Sequence, residues 1–290
     1  MIKVGLAGWS YADWKGIVYP QGCKDTLRHC ADYVEVLEVN STFYRVPDPK
    51  QCASWAERVA DLPVVFTAKV PGELTHERRL HKDTLAATRA GFAPLVASKK
   101  LEALLLQFSF AFRADAAGKE HLTALVGELC DVAPLVVEVR DRSWQRPDDL
   151  AFLRELGVSV ANLDYPGAKS GFGLEVTGID GPRSLAYFRL HGRNSAAWFA
   201  KGAGRDAVYD WEYSSSEVAE IAKRALAIAK GAANTLVIAN NHFHGKAMKL
   251  VLELLAFLRG GPVRVPEPML SHYPALQSIK VCGGQGRLFP

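Results

Sequence analysis

Eight short apolar runs, most followed by a stretch with helical periodicity, constrain this chain more than any other feature. The runs cover residues 2–7, 34–39, 64–70, 103–109, 135–140, 158–162, 185–191 and 235–239. They are rich in Val, Leu, Ile and Phe, as strands covered on both faces are. The intervening segments repeat at 3.6 residues. Val218, Ile221, Ala222, Ala225 and Ile228 form one stripe behind the N-cap candidates Ser214 to Ser216. Leu250, Val251, Leu254, Leu255 and Leu258 form another, which glycines end. DDLAFLRELG is a short helix opened by acids and closed by Gly157. This alternation predicts an α/β fold, a TIM-like (β/α)8 barrel of parallel strands over residues 1–262, with a doubly wound open sheet as the alternative. The 290 residues fit one such domain. Residues 263–290 have prolines, glycines and little periodicity, and are expected to be a C-terminal extension, packed on the barrel or partly free.

The same runs end in side chains that a buried strand should not carry. Glu38 and Asn40 close the second, Lys69 the third, Gln107 the fourth, Glu138 and Arg140 the fifth, Asn162 and Asp164 the sixth, Arg189 and His191 the seventh, and Asn240 and Asn241 the eighth. Burying a charge is costly unless it is paired or solvated. Side chains alternate across a strand. Glu38 therefore shares a face with Asn40, Glu138 with Arg140, Asn162 with Asp164, and Arg189 with His191. Each pair lies at the C-terminal end of its strand, which in a barrel is the catalytic mouth. The expectation is one ring of polar groups around a shared site; the alternative is a set of buried salt bridges that seals the barrel top.

Within that ring, Lys69, Arg140 and Arg189, with Arg193 just beyond, suit a small anionic ligand or a phosphate-bearing substrate. Arg offers a planar fork for phosphate or carboxylate, and Lys a point charge. The cations alternatively do no more than neutralise Glu38, Glu138 and Asp164. The carboxylates and His191 are candidates for proton transfer, with Glu38, Glu138 and His191 as the catalytic set. Asn40, Gln107, Asp164 and Asn240 are expected to orient a ligand, and Trp9 and Tyr11 to stack on it. Residues 192–212, which include Trp198 and Trp211, are long for a connection and suggest a lid. No metal is expected, because the three cations repel one, and His242 and His244 read as loop histidines. No cofactor is expected either. GLAGWS lacks the glycine spacing of a dinucleotide loop, and neither a Walker loop nor a Ser nucleophile elbow occurs.

The net charge of +4 permits an anionic partner without demanding one, and no basic block stands out. The five cysteines include no C-x-x-C pair, which fits reduced thiols in a cytosolic protein. The N-terminus lacks the pattern of a signal peptide, and no run reaches membrane-spanning length. A cytoplasmic protein with no membrane partner is expected.

Seven segments in order carry a family resemblance: GWSYADWKGIVYP from Gly8, EVNSTFY from Glu38, FTAKVP with Lys69, LLLQF with Gln107, EVRDRSW from Glu138, YFRLHGR from Tyr187, and NNHFHGKA from Asn240. Together they resemble the domain of unknown function 72 family. The resemblance implies a TIM-barrel-like fold and supplies no activity. The chain departs from the family pattern at QFSFAF, where prolines are frequent, at Asp141, where His is frequent, and at Ala239, where Phe is frequent. The C-terminal QGRLF resembles the Gln-x-x-Leu-Phe peptide with which bacterial DNA enzymes dock onto the sliding clamp, through Gln285, Leu288 and Phe289. Three readings follow. The first is an enzyme of hydrolase, lyase or isomerase type with an anion site. The others are a non-catalytic nucleic-acid-metabolism protein recruited to the clamp, and a small-molecule sensor.

Overall fold

The computed structural model describes residues 1–167, 172 and 184–281. Eight strands form a closed barrel in sequence order: β1 (Ile2–Ala7), β2 (Val36–Val39), β3 (Val65–Lys69), β4 (Leu101–Gln107), β5 (Leu135–Glu138), β6 (Ser159–Asp164), β7 (Leu185–Leu190) and β8 (Asn234–Ala239). All neighbours are parallel, and β1 closes on β8 with Ile2 opposite Thr235 and Leu6 opposite Ala239. The fold is thus the TIM-like barrel, and the open sheet is excluded by the β1–β8 pairing.

Strand parity divides the core in two. Val36, Ala103, Leu105, Val136, Ala161, Leu163, Leu185, Tyr187, Leu236 and Ile238 form one buried cluster, the barrel interior. The intervening residues, among them Leu37, Leu104, Val137, Val160, Phe188 and Val237, join a larger cluster with the surrounding helices. Both faces of each strand are therefore dry, which is why the runs are almost continuously apolar.

The helices in order are α1 (Thr26–Ala31), α2 (Pro49–Arg58), α3 (Gly72–Thr75), α4 (Lys82–Ala97), α5 (Ala116–Leu129), α6 (Pro147–Glu155), α7 (Ser195–Trp198), α8 (Arg205–Val208), α9 (Ser215–Ala229), α10 (Lys246–Arg259) and α11 (Glu267–His272). In α9 the expected stripe, Val218, Ile221, Ala222, Ala225 and Ile228, is buried. Ser214 accepts the Glu217 amide N–H while the Glu217 carboxylate accepts the Ser214 N–H, a reciprocal cap that fixes where the helix starts. The α10 helix ends on Gly260 in the left-handed conformation, φ +66°. The connection over residues 192–212 contains α7 and α8.

The C-terminal extension is packed as far as it is described. Val263, Val265, Met269, Tyr273 and Leu276 are buried, and the Tyr273 hydroxyl donates to the His244 carbonyl at 2.8 Å. Gln285, Leu288 and Phe289 lie outside the described residues. Among the described residues no helix is long and apolar enough to cross a membrane. Cys23, Cys30, Cys52 and Cys130 are free thiols.

Candidate functional site

At the C-terminal end of the barrel, parity carries the inner face beyond the last apolar layer. There Glu38, Glu138, Arg189 and His191 are almost wholly buried. Arg189 sits between the two carboxylates. Its Nε and Nη2 donate to Glu38 at 3.0 and 2.6 Å, and its Nη1 donates to Glu138. Arg140 donates to the other Glu138 oxygen through Nε at 3.0 Å and Nη2 at 2.5 Å. The Tyr187 hydroxyl donates to Glu38 at 2.9 Å and lies 2.8 Å from the Thr67 hydroxyl. Every member is an alternate residue on its strand, so the network follows directly from strand register. Burial alone opposes ionisation of Glu138, but the Arg189 and Arg140 guanidinium groups outweigh it and hold the carboxyl well below its usual range. The Arg189 guanidinium occupies the position between two carboxylates that a cation would otherwise take.

His191 packs beside Arg189, with Nε2 3.4 Å from Nη1. Burial, then the Arg189 charge, hold its pKa well below the ordinary histidine value, so the ring is neutral near pH 7. As a candidate for proton transfer it therefore starts from the uncharged ring. On the other side of the ring the Asn240 Nδ2 atom lies 3.1 Å from Nδ1; the ring tautomer sets which of the two nitrogens accepts.

Lys69 has a different status. It ends β3 on the inner face, partly exposed, with Nζ 5.7 Å from the centre of the Phe43 ring. Among the described residues Nζ has neither a salt bridge nor a hydrogen bond. Burial and the Arg189 charge, opposed by Glu38 and Glu138, lower its pKa to about 8. Three cations, Lys69, Arg140 and Arg189, face two carboxylates, Glu38 and Glu138. With a neutral His191 these strand-end groups hold one positive charge in excess.

Lys69 opens into a cavity of about 580 Å³, lined also by Trp9, Tyr11, Asn40, Ser41, Tyr44, Arg45, Trp55, Arg58, Tyr209, Asn240 and His242. Gly8, at φ +83°, turns the chain after β1 so that Trp9 and Tyr11 reach this wall; a Cβ there would fall 2.6 Å from the Tyr11 hydroxyl. The Tyr11 ring stacks on His242 with centroids 4.6 Å apart. Trp9 packs edge-on against Trp55 and Phe66, at 5.4 and 5.9 Å. The Asn40 Oδ1 and Gln107 Oε1 atoms are buried with no hydrogen-bond partner among the described residues. A buried acceptor without a donor is costly, and Asn40 borders the cavity. Over the other side of the mouth, the Arg140 guanidinium lies 5.0 Å from the Phe110 ring, 5.5 Å from Tyr165 and 6.0 Å from Trp198. Trp198 belongs to the 192–212 connection, which thus covers part of the mouth, as does Tyr209.

The structure brings Glu38, Glu138, Arg140, Arg189, His191 and Asn240 into one hydrogen-bonded chain. Lys69, Asn40, Trp9 and Tyr11 join Asn240 around the cavity, and Gln107 pairs in register with Glu138. It does not bring Asp164 there. Asn162 and Asp164 share a face as expected, but it is the outer one, because Ala161 and Leu163 take the inner positions of β6. Asp164 accepts from Arg193 at 2.9 Å through both oxygens, from Arg224 of α9 at 2.6 Å, and from the Tyr213 hydroxyl at 2.7 Å. Arg193 is thereby committed away from the mouth as well. The offset of β6 could not be read from the run VSVANLD, which is apolar at both parities. Sequence reasoning also passed over Tyr187, although it sits two residues before Arg189 and its parity was available. Tyr209, Arg45 and Arg58 gave no periodic signal.

Among the described residues no group of three or more His, Cys, Asp or Glu side chains is placed to hold a metal ion. Comparison with known proteins gives a family. The model of the protein of unknown function DUF72 family matches residues 3–272, and the chain belongs to that family. A DUF72 family protein from Thermotoga maritima superposes with a TM-score of 0.75 at 29% identity, over 89% of this chain and 99% of that one. A DUF72 family protein from Enterococcus faecalis gives 0.77 at 25% identity, over 89% and 96%. A xylose isomerase-like TIM barrel/4-hydroxyphenylpyruvate dioxygenase fusion protein gives 0.51 at 13% identity, over 98% of this chain and 45% of that one, a relation of fold alone. No curated protein matches.

Proposed function

We propose that this DUF72 barrel binds a small anionic ligand, a carboxylate or phosphate, in the cavity at its mouth, with Lys69 as the counter-charge. The observation that carries the reading is the ammonium group with no ion-pair or hydrogen-bond partner among the described residues, on a cavity wall that also carries Arg45 and Arg58 and no carboxylate. A charge partly removed from water and left without a partner favours neutralisation, and an incoming anion supplies it without disturbing the Arg189 network. Asn240 and Ser41 flank Lys69 on the same wall and offer donors, while Tyr11 and Tyr209 give apolar sides to the ligand's carbon skeleton.

In this reading Arg140 and Arg189 do not grip the anion. Arg189 is paired with Glu38 and Glu138, and Arg140 with Glu138, and they act by raising the potential that Lys69 and the ligand share. The two carboxylates hold the guanidinium groups in place and offset their charge, which leaves Lys69 as the strand-end charge facing the ligand.

Calorimetric titration of the full chain with lactate and with inorganic phosphate tests this. Binding is expected at neutral pH and at least a tenfold weaker in Lys69→Met. It should fall about tenfold per pH unit above pH 8, because the anion requires the protonated amine. Equal binding in Lys69→Met, or binding that is flat through pH 8 to 10, overturns the assignment.

A further inference from the structure

Resting on that reading of the cavity, we infer that Lys69 is an imine-forming nucleophile and that the anion it receives carries a carbonyl next to the charge, as a 2-oxo acid does. Three observations of geometry converge. The Nζ atom has no hydrogen bond or salt bridge among the described residues, so its lone pair, once free, is not occupied. It faces a cavity of about 580 Å³, large enough for a small carbonyl compound and the water it releases. It also lies at the end of β3, on a strand held on both sides by ladder hydrogen bonds to β2 and β4, so its backbone is fixed.

The step balances without any co-reactant. The ammonium group first gives one proton to water in the cavity, and the neutral amine adds through Nζ to the carbonyl carbon, forming a C–N bond as the C=O π bond breaks. The carbonyl oxygen takes that proton back, a second proton passes from the nitrogen to the hydroxyl, and water leaves as the C–O bond breaks, so that ammonium plus carbonyl become protonated imine plus water. That product still carries one positive charge, so the pairing with the ligand's carboxylate survives the reaction.

An ordinary lysine is almost wholly protonated at neutral pH and does not react this way. Here desolvation and the neighbouring Arg189 charge bring the amine to about pKa 8, which leaves about a tenth of it neutral at pH 7. A solvated surface lysine has a neutral fraction about 300-fold smaller. Glu38 and Glu138, fixed beside Arg189, stabilise the cationic imine by the same field that supports the ammonium group.

Reductive trapping tests the inference. The full chain is incubated at pH 7 with pyruvate or glyoxylate and sodium cyanoborohydride, which reduces an imine to a stable amine. Peptide mapping then compares the adduct at Lys69 with that at the exposed Lys15, Lys50 and Lys82. Lys69 is expected to be labelled at least tenfold faster, with the rate rising towards pH 8 and then levelling. Lactate should slow the labelling. Labelling of Lys69 no faster than that of the surface lysines overturns the imine role. The anion site is judged apart from it, by the lactate titration, whose pH dependence runs in the opposite direction.

Discussion

Two clusters of ion pairs stand at neighbouring strand ends, and they do different things with the same residue types. At the mouth, Arg189 and Arg140 are enclosed by Glu38 and Glu138 on the barrel axis, and the Arg189, Glu38 and Glu138 side chains are fully buried. Outside the barrel, Arg193 and Arg224 close on Asp164, with Glu217 and Glu220 at the rim, and the arginines keep about a quarter of their surface in solvent. The inner cluster has one cation in excess beside a cavity. Among the described residues the outer one has more acids than bases, and it ties α9 and the connection after β7 to β6. One step of strand parity separates them: Tyr165 turns inward to Arg140, whereas Asp164 turns outward to Arg224. Position at a strand's C-terminal end is therefore not enough to place a residue in the site. The parity of its own strand decides.

The largest expected effect separates the clusters by burial. Arg189→Met leaves two carboxylates facing each other with their shared counter-ion gone, which costs about 3–5 kcal/mol in a buried pair. Arg224→Met removes one of two guanidinium groups from Asp164 at a partly exposed position, and about 1 kcal/mol is expected. Urea unfolding of the two variants measures the difference. Equal losses would mean that the inner network is no more than another surface ion pair.

A smaller contrast is set by acid. Both Glu138 and Asp164 are desolvated, a change that alone raises a carboxyl pKa. In each case cationic neighbours reverse it: Arg189 and Arg140 for Glu138, Arg193 and Arg224 with the Tyr213 hydroxyl for Asp164. Folded values below the unfolded ones mean that the unfolded chain binds more protons in acid. The stabilisation is fully present above the ordinary carboxyl range and is lost as pH falls below about 4.5. Thermal melts should thus be flat from pH 7 to 5 and then decline. Asp164→Asn should remove part of that slope while anion binding persists. Lost anion binding in Asp164→Asn would join the two clusters functionally and end the distinction drawn between them.

The barrel was legible in the sequence because both of its signals are local. A strand dry on both faces has to be written in Val, Leu and Ile, and an amphipathic helix has to repeat at 3.6. The inner polar network was legible for a related reason, since Glu38, Glu138, Arg140, Arg189 and His191 each stand where apolar residues were due. What sequence could not give was commitment. Whether Arg140 and Arg189 wait for a ligand or are already bound depends on distances between β2, β5 and β7, which no local pattern encodes. The neutral state of His191 follows from those same distances, and the outward turn of Asp164 from the parity of β6. The one cation left over, Lys69, is conspicuous only once the others are seen to be paired.

That difference between Lys69 and its neighbours gives the smallest expected effect and the sharpest use of the comparison. A residue belonging to the inner network should destabilise the fold when removed; a charge held in reserve for a ligand should not. The lowered Lys69 pKa means that its protonated form is disfavoured in the folded chain relative to the unfolded one. Removing it should therefore stabilise. After allowance for its partial exposure, Lys69→Met is expected to gain about 1 kcal/mol. The gain should be complete below pH 8, where folded and unfolded lysines are both protonated. It should fade as pH rises from about 8 towards 10.5, because the wild-type folded chain then sheds the proton that the unfolded chain still keeps. Urea unfolding of the pair at pH 7 and pH 10 reads both the sign and its decay. A loss of stability at pH 7 comparable to that of Arg189→Met would make Lys69 a structural member of the carboxylate network, and the excess charge at the mouth would need no ligand to explain it.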